Sequence, residues 1–421
     1  MRAISSPAPG LGSAMPARPH AAIITVGTEL VTGQRLDTNG AEIASALLAS
    51  NLDVVEMLSV ADDIDRLAAH LARLTGDCAV VVVTGGLGPT HDDITREAAS
   101  RALKRPLVRA HEIEKTLASI IARHREPEAA EHILTQADVL DGADVIAPTT
   151  GTAPGQIVQT PGGVLLLLPG PPREMRPMLA SFLGTTCPAT PPIRLRSTGI
   201  TESDAQIAAQ RVIGDAQGVG LTVLAAPADV EVVLFDEGAG LPELERIGAL
   251  VRAELGDVCY SSDGSSLAET VVMLARRRRV RLACAESCTG GKIASALTDI
   301  AGASEAFQGG VVSYANELKT DALGVPAEML ERFGAVSDET ARAMVTGVAA
   351  LTHAEFAVAT TGIAGPDGGT AEKPVGLVWF GLQTPSGVSS VRREFFGDRA
   401  GVRTRATMFA LDLLRRALME S

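Results

Sequence analysis

The stretch ACAESCTGGKIASAL, residues 283–297, sets Ser287, Cys288 and Thr289 between two apolar patterns. Val280, Leu282 and Cys284 alternate as in a strand, while Ile293, Leu297 and Ile300 are spaced as in a helix. A strand-to-helix turn of this kind can present a nucleophile. Gly290 and Gly291 let a ligand approach backbone N–H groups at the helix start, where the dipole favours an anion or an oxyanion. The same residues also fit an ordinary tight turn. A nucleophilic serine needs a base. The last third holds one histidine, His353, at the end of a predicted helix, so a Ser-His-Asp triad is poorly supported. Lysine is the alternative, because arginine cannot lose its proton at working pH. Only 5 of 37 basic residues are lysines, and Lys292, Lys319 and Lys373 lie in this third, near glycines or polar loops.

Lys319 follows the strand-like GGVVSY (309–314), which ends at Tyr314, one of 2 tyrosines. Tyr314 is counted with Ser287 and Lys319 as a catalytic candidate. Cys288 is the rival nucleophile. ATTGIAGPDGGT (359–370) is a glycine-rich loop with Thr361 and Gly362 at its start. Such loops hold phosphate or a carbonyl oxygen through backbone N–H groups. Lys373 stands at the mouth of the next strand. Arg399 and Arg403 lie four apart at a helix start, which suits a phosphate clamp and equally a surface arginine couple. No Walker or dinucleotide fingerprint is present.

The first third offers a second set. VGTELVTGQRLDTN (26–39) and TGGLGPTHDDITREA (84–98) each follow a predicted strand, where open α/β sheets place their sites. Gly86, Gly88 and Thr90 precede Asp92 and Asp93. Paired carboxylates beside a glycine loop suit a divalent cation bridging phosphates, or else the acidic start of a helix. Glu29 and Asp62 are further acidic candidates at strand ends.

These residues need elements to position them. AIITVG (22–27), VVEMLSV (54–60), AVVVVTGG (79–86) and VLLLLPGPP (164–172) read as strands, and 41–49 and 64–74 as helices. Continuous apolar strands alternating with helices predict a parallel sheet covered on both faces. CPATPP (187–192) and SSDGSS (261–266) read as linkers. Between them lies a small α+β module, with helices at 202–213 and 242–255 and a strand at 230–235. Beyond, the pattern predicts strands at 280–286, 309–315, 355–361, 375–383 and 388–396, and helices at 290–300, 338–352 and 400–418. The chain is thus expected to be α/β with three domains, at 21–187, 193–258 and 265–421, after a disordered tail at 1–20 in which Met15 is a second possible start.

The bulk numbers limit the partners. Apolar residues make up 46% of the chain and aromatics 3%, so cores must be aliphatic. The net charge of −13 opposes direct nucleic-acid or anionic-membrane binding. Arg276–Arg279 fits a solvated helix C-terminus. Five cysteines suggest no disulfide framework, Cys284 and Cys288 alone are weak evidence for a metal, and no stretch is long and apolar enough to span a membrane. A cytoplasmic location and a homo-oligomer are expected.

The motifs AESCTGG, YANELK, TGIAGPDGGT, KPVG and GDRAGVR resemble the C-terminal domain of the CinA (competence/damage-inducible protein A) family across 265–421. GTELVTGQ, LDTN, TGGLGPTHDDIT, GTAPG and LPGPPREM resemble its N-terminal MoCF-type molybdopterin-binding domain, and RSTGITES resembles its small KH-like middle domain. The resemblance implies a nicotinamide mononucleotide deamidase that needs no cofactor, with serine–lysine chemistry carried over to Ser287 and Lys319. It also implies an N-terminal ADP-ribose pyrophosphatase using a divalent metal, with Asp93 as the matching residue and Asp92 beside it. The residues before GTAPG are APTT, where the family commonly has an asparagine. Other readings are a molybdopterin-binding protein and a non-catalytic competence or DNA-damage partner.

Overall fold

The computed structural model describes residues 18–50, 52–124, 132–186, 191–214 and 216–420. Of the expected tail, residues 1–17 with Met15 lie outside them, as do Cys187 and linker residues 188–190. The chain divides into two compact units between Pro191 and Pro192.

The first unit runs β1 (His20–Val26), α1 (Thr28–Val31), α2 (Asn39–Ala49), β2 (Asp53–Val60), α3 (Ile64–Asp77), β3 (Val80–Thr84), α4 (Thr95–Leu103), β4 (Leu107–Arg109), α5 (His111–His124), β5 (Asp138–Leu140), β6 (Asp144–Ile146), β7 (Gly155–Gln159), β8 (Val164–Leu168) and α6 (Pro172–Thr186). Its main sheet has the order β2-β1-β3-β8-β7-β6. The central strands are parallel, as expected, and fully buried: Val81, Val82 and Val83 have no exposed surface. Each such valine is worth about 1.5–3 kcal/mol of burial. Even-numbered side chains of β1 pack toward α3 and α4, odd-numbered ones toward α2 and α6. One edge of the sheet is mixed, since β7 runs antiparallel to both β8 and β6. Residues 160–163 are too few for a crossover, so the strand that follows must run back alongside.

The second unit begins with a four-stranded antiparallel sheet, order β10-β11-β9-β12. Its elements are β9 (Ile193–Ser197), α7 (Glu202–Ile213), β10 (Val219–Ala226), β11 (Asp229–Asp236), α8 (Leu241–Leu255) and β12 (Cys259–Ser261). Leu195, Val232, Leu234, Leu244, Ile247 and Val251 form its core between sheet and helices. Ser266, in the stretch read as a linker, caps the next helix through a reciprocal bond with Glu269.

That helix is α9 (Leu267–Arg278); β13 (Leu282–Glu286), α10 (Lys292–Thr298), β14 (Phe307–Val312), α11 (Asn316–Leu323), α12 (Ala327–Phe333), α13 (Asp338–Thr352), β15 (Phe356–Gly362), β16 (Leu377–Thr384), β17 (Gly387–Glu394) and α14 (Arg399–Glu420) follow. The sheet order is β14-β13-β15-β16-β17, with β14, β13 and β15 parallel. Alternation along β13 splits the core. Cys284 faces the α9, α10 and α14 layer, while Ala283 and Ala285 face α11 and α13. Arg276, Arg277 and Arg278 form the last turn of α9, where cations suit the dipole. Among the described residues no helix is long and apolar enough to cross a membrane.

Candidate active site

Strand β13 ends at Glu286, and Ser287 is the next residue. The turn that follows is shaped by φ of +62° at Gly290 and +93° at Gly291, a region that L side chains rarely adopt. Glu286 has no exposed surface, yet it is a carboxylate. Its oxygens accept the N–H groups of Gly291 at 2.9 Å, Ile293 at 3.2 Å and Ala294 at 2.8 Å. These are the orphan donors at the start of α10, so the carboxylate caps the helix from the preceding strand. Arg403 braces the same turn from behind. Its Nε donates to Cys288 O at 3.2 Å and its Nη2 to Thr289 O at 2.9 Å.

One cavity of about 290 Å³ opens at the C-terminal ends of β13 and β15. Ser287, Cys288, Tyr314, Lys319, Thr361, Gly362 and Arg399 all line it, so the structure brings together most of the expected set. The sequence places Lys319 just beyond the strand that ends at Tyr314, without a helix there. It lies instead on α11, with 1% of its surface exposed. Its Nζ donates to Ser313 O at 2.8 Å and Tyr314 O at 3.4 Å. Burial pushes the amine below the ordinary lysine value, against the pull of the Cys288 sulfur and the Glu317 carboxylate. Among the described residues no hydrogen bond joins Ser287 Oγ to Lys319 Nζ. Burial pushes the Cys288 thiol up to about 12, so the thiolate that would make it a nucleophile is disfavoured. Tyr314 is exposed at the rim, and its hydroxyl accepts Arg399 Nη2 at 2.8 Å, while Arg399 Nη1 donates to Gly365 O at 2.7 Å.

Several expectations are corrected. The Gly290 N–H donates to Ser287 O at 3.1 Å and the Gly291 N–H to Glu286, so neither is free for an oxyanion. Ala364, Gly365, Asp367 and Gly368 line the cavity, and their N–H groups donate to no acceptor among the described residues. Arg403 does not line the cavity, because its guanidinium is engaged on the turn carbonyls. Lys373 is also outside it, with Nζ on Phe333 O at 2.8 Å, closing the end of α12.

In the first unit the glycine–aspartate loop braces itself. Asp93 accepts the N–H groups of Gly88 and Thr90, both at 2.7 Å, and the Thr90 hydroxyl at 2.6 Å. Arg96 donates to the carbonyls of Leu87 and Gly88. Gly86 O takes the N–H of Thr95 at 3.1 Å. Asp62 is bonded to Thr28, and Asp92 stands exposed. A cavity of about 680 Å³ opens at the ends of β1 and β3, and of the four expected metal ligands only Glu29 lines it. Among the described residues no group of three His, Cys, Asp or Glu side chains could hold a metal. The four expected carboxylates do not gather into a three-ligand set.

Sequence reasoning passed over Glu286, Ser313 and Asp37. Asp37 lines the larger cavity and accepts the Thr25 hydroxyl at 2.9 Å. The available signal for Glu286 was a lone acidic residue closing an apolar strand.

A family model described as the CinA C-terminal domain matches residues 264–418, and one described as "Probable molybdopterin binding domain" matches residues 22–189. The CinA-like protein of Solibacter usitatus is 37% identical over 410 residues, spanning 94% of this chain and 98% of that protein. The CinA-like protein of Thermotoga neapolitana is 36% identical over 403 residues, spanning 95% of this chain and 98% of its own length. Among solved structures, the competence/damage inducible protein CihA of Agrobacterium tumefaciens is 44% identical, covering 36% of this chain and 93% of that one with a TM-score of 0.35.

Proposed function

Because the chain belongs to the CinA family, we propose that its second unit is an amidohydrolase that releases ammonia from the carboxamide of nicotinamide mononucleotide. The observation that carries this reading is a lysine amine, buried and biased toward neutrality, on the wall of the cavity that also exposes Ser287. Ser287 Oγ attacks the carboxamide carbon. Its proton passes to Lys319, which later protonates the departing ammonia. Water then cleaves the acyl-enzyme to nicotinic acid mononucleotide. The unoccupied N–H groups of the 364–368 loop are the candidate oxyanion donors, a contribution of about 3–4 kcal/mol for each one engaged. Arg399 stands at the rim, where it would meet the phosphate. The chemistry calls for no cofactor.

For the first unit, metal-dependent hydrolysis of ADP-ribose lacks its expected ligands, since Asp93 is engaged within its own loop. No step is assigned there.

The test is ammonia release from nicotinamide mononucleotide by the purified chain and by Ser287→Ala. The parent should turn over, and the variant should fall to background while keeping its unfolding midpoint. Near-normal turnover by Ser287→Ala would take that residue out of the mechanism.

A further inference from the structure

The nucleophile and the base line one cavity with no hydrogen bond between them among the described residues, and the carbonyl that accepts the Lys319 amine belongs to a second hydroxyl-bearing residue, Ser313. Ser313 follows β14 directly. Its N–H donates to Glu286 O at 2.8 Å, which extends the ladder in which Glu286 pairs with Val312. In a parallel pair, neighbours in register present their side chains on the same face. Ala285 and its register partner Val311 face α11 and α13, so two residues further along Ser287 and Ser313 fall on that face, which is the Lys319 side. Lys319 Nζ is itself anchored on the Ser313 carbonyl at 2.8 Å. Ser313 has no exposed surface, and among the described residues its Oγ has no hydrogen-bond partner, so its bonds to Ser287 and Lys319 would form as substrate enters. A buried hydroxyl without a partner weakens a fold, so its presence calls for a reason.

We propose that the Ser313 hydroxyl relays the Ser287 proton to Lys319, making the catalytic set Ser287–Ser313–Lys319; this rests on the amidohydrolase reading. As the Ser287 Oγ–carbon bond forms, the Ser287 proton moves to Ser313 Oγ. The proton already on Ser313 moves to Lys319 Nζ, which becomes an ammonium. The sequence reverses when the C–N bond breaks: Lys319 returns a proton to Ser313, and Ser313 passes one to the leaving nitrogen. No atom or electron is gained from outside.

The test compares the full chain with Ser313→Ala and Ser313→Thr. Ammonia release from nicotinamide mononucleotide gives kcat and KM, and rates in mixed light and heavy water count the protons in flight. A fluorophosphonate probe reports the reactivity of Ser287 without that substrate. Ser313→Ala should lower kcat by at least about thirtyfold, in the range of proton-transfer contributions, with KM within about twofold. Its dependence on heavy water should change from curved to linear, and probe labelling should slow in parallel. Its unfolding midpoint should stay level or rise, since an unpartnered hydroxyl is removed. Ser313→Thr should recover kcat to within about fivefold of the parent. A Ser313→Ala enzyme with kcat within about twofold of the parent and an unchanged heavy-water profile would overturn the relay. A parent that labels in a Ser313-dependent way but releases no ammonia would refute the substrate alone. A parent whose Ser287 does not label and which releases no ammonia would remove nucleophile and relay together.

Discussion

Glu286 is the residue on which the geometry of the serine turn depends most. Its buried carboxylate accepts three N–H groups that nothing else in the turn can take. Glu286→Ala removes all three acceptors at once. At about 1–3 kcal/mol for each buried donor left unpaired, the ceiling is about 9 kcal/mol. Two of the three bonds are only part-buried, and water entering the vacated space would partner some donors. A loss of about 3 kcal/mol is therefore expected. Glu286→Gln keeps one accepting oxygen but turns an NH₂ group toward backbone N–H, so about half that loss should follow. Trp379 is the only tryptophan of the chain and lies on β16, which makes its fluorescence a report on the second unit alone. Urea unfolding followed at Trp379 should give midpoints in the order parent, Glu286→Gln, Glu286→Ala, with an unchanged slope. Ammonia release should fall more than stability explains, because Ser287 is the next residue. A Glu286→Ala midpoint matching that of the parent, within about 0.5 kcal/mol, would refute the capping argument.

Lys319 predicts a pH dependence with a definite sign. Its folded value lies below the ordinary 10.5, so the unfolded chain binds the extra proton. Lys319 thus favours folding fully only above pH 10.5, and this contribution is lost as pH falls toward the folded value. Lys319→Met should remove that slope from the unfolding free energy and reduce turnover by at least about a hundredfold. In the parent, kcat/KM should rise with pH on the acid side as the amine becomes neutral; a flat profile would argue against lysine as the base. Cys288→Ala should keep turnover within about threefold, since a thiol held at about 12 carries little thiolate near neutrality. Loss of turnover in that variant, with the fold intact, would reinstate the thiol.

The elements that were legible are the ones with strong periodicity. Strands β13, β15, β16 and β17 and helices α13 and α14 stand within a few residues of their expected ranges, because long apolar patterns leave little choice of element. The scarcity of lysine drew attention to Lys319, which lines the cavity, although its helix was missed. α11 and α12 have 8 and 7 residues, bounded by Gly324, Pro326 and Gly334, too short for a clear period. Arg403 and Lys373 show where residue type alone misleads. A guanidinium or an ammonium suits a phosphate, but it suits a backbone carbonyl equally well, and only the fold decides which is nearer. Asp93 misled in the same way, since a carboxylate beside glycines binds its own loop as readily as a cation.

Topology explains why the cavities lie where they do. From β13 the chain moves to β14 on one side, then crosses back to β15 on the other. Their connections therefore diverge at the carboxyl end of β13, leaving a crevice where Ser287 meets residues from both neighbours. Ser313 and Lys319 come from the β14 side, Thr361 and the glycine loop from the β15 side. The first unit repeats the arrangement: β1 lies between β2 and β3, and its cavity opens at the ends of β1 and β3. What distinguishes the two crevices is the chemistry placed in them. One is lined by a hydroxyl and a nearly fully buried amine; in the other, Glu29 and Asp37 share the wall with Arg35, Arg173 and Arg176. An amine taken out of water favours its neutral form, and a neutral amine is what a serine needs as a base. The burial of Lys319 is thus the feature on which the proposed catalysis in the second unit rests.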